Sequence, residues 1–151
     1  MDTLTATILL SWASHLSGYP VPEVPPSIHF ESHSFFVEHA CGGRDCRVVG
    51  WYNDENIVYV DEKHRDDDST FAASLVVHEV VHFLQHQSGQ FDSQSCEDSL
   101  AREREAYRIQ NRYIIEAHAS FSFVRPGPFS CAYDKPVQTG ETPHTEMNLS
   151  N

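Results

Sequence analysis

Residues 74–89, SLVVHEVVHFLQHQSG, constrain the fold more than any other part of the chain. Aliphatic residues recur through the run at helical spacing, so it reads as a helix with much to bury. Yet His78, Glu79 and His82 stand inside it, and burying an unpaired ionisable group is costly. A fold that accepts this helix must give those side chains partners. Positions i and i+4 share a helix face, which sets His78 and His82 about 40° apart around the axis. Ala73, Val76, Val77, Val80 and Leu84 fall on the other side. The expectation is an aliphatic face for the core and a histidine face pointing elsewhere. Two imidazoles one turn apart can converge on one zinc ion. Glu79, displaced from them, can act instead on a water held there.

The flanks fix the helix ends. RDDDST places acids and hydroxyls ahead of the run, a start signal that suits the positive end of the macrodipole. Gly89 is the stop. The helix is expected over residues 69–87. Upstream, residues 3–17 read as an amphipathic helix ending at Gly18, and Asp2 stands where an export signal would carry basic residues. GYPVPEVPPS cannot be helical. Residues 27–39 alternate partially and could hold one or two short strands. CRVVGWY and NIVYVDE, with NDE between, read as a hairpin. A second long helix is expected over residues 97–118. Its wheel puts Glu103, Ala106, Tyr107, Gln110, Tyr113, Ile114 and Ala117 on one arc. Arg104, Glu105, Arg108, Asn111 and Arg112 fall on the opposite one.

A chain of 151 residues suits one domain with a real core. That domain is expected over residues 1–133, with an irregular or mobile tail over residues 134–151. The fold class expected is α+β. The formal charge of -12 argues against nucleic acid or anionic lipid as a partner. No apolar run is long enough to span a bilayer. Cys41, Cys46, Cys96 and Cys131 do not form two CxxC pairs, so a four-thiolate zinc site is not expected. Two disulfides, and a periplasmic or secreted location, suit the even count. CGGRDC could close a small Cys41–Cys46 ring and leave Cys96 with Cys131, though four cysteines allow three pairings. Four free thiols in the cytosol are the alternative.

HEVVH resembles the HExxH motif of the zincin metallopeptidases, and the downstream helix is similar to the one that carries the third ligand in the gluzincin branch. The resemblance implies a compact, minigluzincin-like domain: a small, partly antiparallel sheet packed on the HExxH helix and a third-ligand helix. It implies a Zn2+ cofactor held by His78, His82 and a glutamate, with Glu79 as general base and a peptide or protein as substrate. REREAYRIQNRY offers Glu103 and Glu105 as third ligand. Glu103 is preferred, because it shares the inward arc. His86 lacks the spacing of a third histidine ligand and is carried past the metal. Where gluzincins often place an aspartate four residues after the ligand, this chain has Tyr107. Tyr107, Tyr113 and His118 are candidates for stabilising an oxyanion, and spacing does not choose among them. The family also implies that the strand at residues 56–60 offers a free edge to an extended peptide, although a plain core strand fits those residues equally. Two other classes remain open: a catalytically inactive, zinc-stabilised peptide-binding module, and a disulfide-stapled domain without metal.

Overall fold

The computed structural model describes residues 1, 3–91, 93, 95–117, 124–127 and 131. Among them the chain is α+β, with four helices and a small mixed sheet of three strands. The expected tail and His118 lie outside the described residues. Helix α1 (Thr3–Ser17) ends at Gly18, whose φ of 85° lets its N–H reach the Ser14 carbonyl at 2.8 Å. That backbone conformation suits glycine. Then follow β1 (Ser27–Glu31), α2 (His33–His39), β2 (Gly50–Tyr52), β3 (Ile57–Asp61), a 3-10 turn (Glu62–His64), α3 (Thr70–Ser88) and α4 (Cys96–Glu116).

Residues 27–39 hold one strand and one helix, not two strands. In a strand, Phe35 and Phe36 would point to opposite faces. On α2 both reach one cluster: Phe36 is fully buried beside Val48 and Trp51, and Phe35 packs on Trp51 and Tyr59. The expected hairpin forms, with Asp54 and Asn56 of its turn at φ near 61° and 62°. Asp and Asn tolerate that region because their short side chains bond locally.

The sheet order β1-β3-β2 places β3 in the centre. It runs parallel to β1 (Ser27↔Ile57 to Glu31↔Asp61) and antiparallel to β2 (Gly50↔Val60 to Tyr52↔Val58). The expectation of a free edge at residues 56–60 is therefore wrong, and the edges are β1 and β2. The side chains explain it. Val58 and Val60 enter the helical core, while Tyr59 stacks on Trp51 on the opposite face. A strand buried on both faces belongs in the middle.

Helix α3 is the centre of the domain and packs on α1, α4, β2 and β3. The Ser69 hydroxyl caps it by accepting the Ala72 N–H, and Gly89, with φ 67°, ends it. Every residue from Ser74 to Gln85 is buried. The histidine face thus points into the protein, because α4 lies over it. Helix α4 is capped by Ser95, which accepts the Asp98 N–H, and carries Glu97 and Asp98 in its first turn. It buries Glu103, Ala106, Tyr107, Gln110, Tyr113 and Ile114, the arc read from the sequence, together with Ile109.

Two disulfides close the framework. Cys41–Cys46 forms the small ring, and Cys96–Cys131 joins the start of α4 to the chain beyond it. The Asn111 side chain of α4 brackets Val124, accepting its N–H (2.8 Å) and donating to its carbonyl (2.9 Å). The two disulfides suit an oxidising, extracellular location. No helix among the described residues is long and apolar enough to cross a membrane.

Candidate metal centre

Helix packing brings three ligand-type side chains to one point. His78 Nε2 and His82 Nε2 lie 3.1 Å apart. Glu103 on α4 sets one carboxylate oxygen 3.5 Å from His78 Nε2 and the other 3.4 Å from His82 Nε2. These distances are ion-pair distances, and neither Glu103 oxygen has a hydrogen-bond partner. All three side chains are buried. A tetrahedral ion with bonds of about 2.0–2.1 Å has ligand–ligand edges of about 3.3–3.4 Å. The three separations bracket that value. Two imidazoles and one carboxylate favour a first-row transition-type ion over Mg2+ or Ca2+, which take oxygen ligands. The residues therefore fit a metal ion, and the orphaned Glu103 oxygens are what such an ion would satisfy.

Each histidine is held from behind. His78 Nδ1 meets Gln110 Oε1 at 3.0 Å and His82 Nδ1 meets Gln85 Oε1 at 2.8 Å. The Tyr107 ring stands edge-on to His78, with centroids 4.6 Å apart. Electrostatics follow from burial and proximity. Burial pushes the His78 pKa down and outweighs the pull of Glu103. Burial acts the same way on His82 and is the largest single cause, but the charge and close approach of Glu103, the Glu79 charge and the Gln85 amide together outweigh it, so the net shift is upward. Burial would raise Glu103, yet His82 and His78 hold its carboxyl down at about 2.

Glu79 differs from all three. It is fully buried, stands outside the metal group, and neither carboxylate oxygen has a hydrogen-bond partner. Burial raises its pKa to about 8. The charges of His82 and Glu103 act on it in opposite directions, and the Tyr52 backbone N–H favours its ionised form without reaching hydrogen-bond geometry.

The other expected residues separate clearly. His86 is exposed, bonds Tyr52 Oη through Nδ1 at 2.7 Å, and takes no part in the metal group. Glu105 does not face open solvent as its arc suggested. Its carboxylate accepts from Tyr19 Oη (2.7 Å) and Gln85 Nε2 (3.0 Å) and pairs with Arg108 (3.2 Å). Tyr113 packs on Trp12 of α1. The sequence reading did not single out Gln85. Its signal was an amide one turn beyond His82 in an otherwise apolar run. Gln110 was legible only as a polar residue on the inward arc.

The whole centre is closed. His78 and Glu79 are 0% exposed, His82 4% and Glu103 6%. Two surface cavities, of about 460 and 480 Å³, lie elsewhere, and none of these four residues lines either. No family model, curated protein or solved structure matches the chain.

Proposed function

We propose that this chain is a compact zinc-dependent metallopeptidase of the gluzincin kind, with zincin-like packing of α3, α4 and the sheet. It would hydrolyse a peptide or protein substrate in a periplasmic or secreted setting. Glu79 carries the reading. His78, His82 and Glu103 suffice to hold an ion, so metal storage gives no reason to bury a fourth ionisable group without a partner beside them. A general base next to them gives that reason.

Zinc bound by His78, His82 and Glu103 would polarise a scissile carbonyl and acidify a water. Glu79 would serve there as general base and then as the acid that protonates the leaving amine. Of the two oxyanion candidates among the described residues, Tyr107, against His78, is better placed than Tyr113, which packs on Trp12. The docking edge moves from β3 to β2. Asp61 N–H donates to Val49 O and Asn53 N–H to Ile57 O, so alternate residues of β2 pair with β3. Gly50 and Tyr52 between them turn their backbone groups away from β3. Tyr52 turns its N–H toward Glu79. An extended peptide added along that edge would lie beside the proposed base.

The test is a peptide library incubated with zinc-loaded protein and read by mass spectrometry. Cleavage must stop with chelator and with Glu79→Gln, while Glu79→Gln keeps its zinc. Loss of zinc in that variant would make Glu79 a ligand and overturn the mechanism. A second reading, the inactive zinc-stabilised module, is favoured by the closure of all four side chains. It requires one bound zinc and no cleavage in the wild type.

A further inference from the structure

We infer that Gln85 and Gln110 are positioning residues that fix both histidines in the tautomer with Nε2 free for the metal, and that they do so only when α3 and α4 are docked. The inference rests on the metal site of the reading above and adds what orients it. Hydrogen-bond partners settle which end of each amide faces which group. The Gln85 amide nitrogen meets the Arg102 carbonyl oxygen (3.1 Å) and the Glu105 carboxylate (3.0 Å). Both are acceptors, so this end must be the NH2, and the carbonyl oxygen faces His82 Nδ1. For Gln110 the chain is one step longer. The Ser74 hydroxyl gives its proton to the Phe71 carbonyl (2.7 Å), so its oxygen accepts from the Gln110 NH2 (3.1 Å). The Gln110 carbonyl oxygen is left for His78 Nδ1.

A carbonyl oxygen only accepts. Both Nδ1 atoms must therefore carry the proton, and both Nε2 lone pairs point at each other and at Glu103. Either glutamine turned over would present NH2 to Nδ1 and move a proton onto the metal side. Each device spans two helices. Gln110 reaches from α4 to His78 on α3. Gln85 grips His82 on its own helix but is itself held by Arg102 and Glu105 of α4. Glu105 is in turn held by Tyr19, beyond the end of α1. The ligand geometry is thus set by the same contacts that join the helices. Neutral amides do this without adding a second negative charge next to Glu103.

The direct test is the nitrogen spectrum of the imidazoles, by long-range 1H–15N correlation, in metal-free protein at alkaline pH. Wild type should show Nδ1 protonated and Nε2 bare in both His78 and His82. Gln110→Met should release His78 alone, and Gln85→Met His82 alone, into a tautomer mixture. In competitive chelator titrations each Met variant should lose about 10- to 100-fold in zinc affinity, and Gln110→Glu, which keeps an acceptor oxygen, should recover most of it. A proton on Nε2 of either imidazole once it is uncharged at alkaline pH overturns the inference, whatever the variants do. So do folded Met variants with an unchanged nitrogen pattern and zinc affinity within about threefold of wild type. Wild type that binds no zinc but shows the expected tautomers would instead sink the peptidase reading and leave the positioning intact.

Discussion

Replacing Glu79 by glutamine should change how the stability of the metal-free protein depends on pH. The Glu79 carboxyl is fully buried, and burial moves its pKa from 4.5 to about 8. Between these values the folded protein holds a proton that the unfolded chain has released. The folded pKa is the raised one, so the contribution is fully present below about pH 4.5 and is lost as pH rises toward 8. Each pKa unit is worth about 1.4 kcal/mol. From pH 5 to pH 8 the wild type should therefore lose about 3–4 kcal/mol relative to Glu79→Gln, which has no such proton to give up. Burying the glutamine amide without partners costs about 1–3 kcal/mol, but that offset does not vary with pH. His78, His82 and Glu103 titrate in both proteins, and the part of their titration that does not depend on the Glu79 charge cancels in the difference. Urea unfolding in excess chelator, at several pH values, measures the two curves. Parallel curves over this window would show that Glu79 ionises freely in the folded protein, and would refute its placement in a closed, partnerless site.

Other expectations follow from the same contacts. Glu103→Ala should weaken zinc binding by at least about 100-fold, more than second-shell losses alone, while Glu105→Ala should weaken it by less than about tenfold because Gln85 keeps the Arg102 carbonyl; the reverse ranking in a chelator titration would exchange their roles. Opening Cys96–Cys131, 35 residues apart, should cost about 4 kcal/mol and opening Cys41–Cys46, 5 apart, about 2 kcal/mol. Denaturant midpoints of the paired serine variants check that order. Leu75→Ala, at a fully buried position against Val49 and Tyr107, should cost about 2–5 kcal/mol. Leu4→Ala, at a residue 70% exposed, should stay within about 0.5 kcal/mol by the same assay.

Much of this was legible in the residues, where local chemistry decides. Ser69, Gly18 and Gly89 end helices because caps and positive φ are properties of a few residues. The inward arc of α4, and with it the choice of Glu103 over Glu105, follows from helical period alone. What the chain hid was long-range. Whether β3 sits at an edge depends on β1, which pairs with it in parallel from about thirty residues away. That α3 is buried on every side depends on α4 covering the histidines, which no wheel of α3 can reveal. Glu105 read as a surface charge among arginines, yet Tyr19 and Gln85 reach it from two other segments. Residues 27–39 read only as strand, yet Phe35 and Phe36 reach the Trp51 and Tyr59 cluster from a helix.

One metal ion is expected to join α3 to α4 through His78, His82 and Glu103. Anomalous diffraction from crystals grown with zinc, with data on both sides of the zinc absorption edge, tests it directly. The expected result is a single strong peak bonded to both Nε2 atoms at about 2.0–2.1 Å and to a Glu103 oxygen at about 2.0–2.2 Å, with Glu79 close by but unbonded. A peak coordinated by Glu79 or Glu105 in place of Glu103, or no peak between the two helices in zinc-saturated crystals, would contradict it.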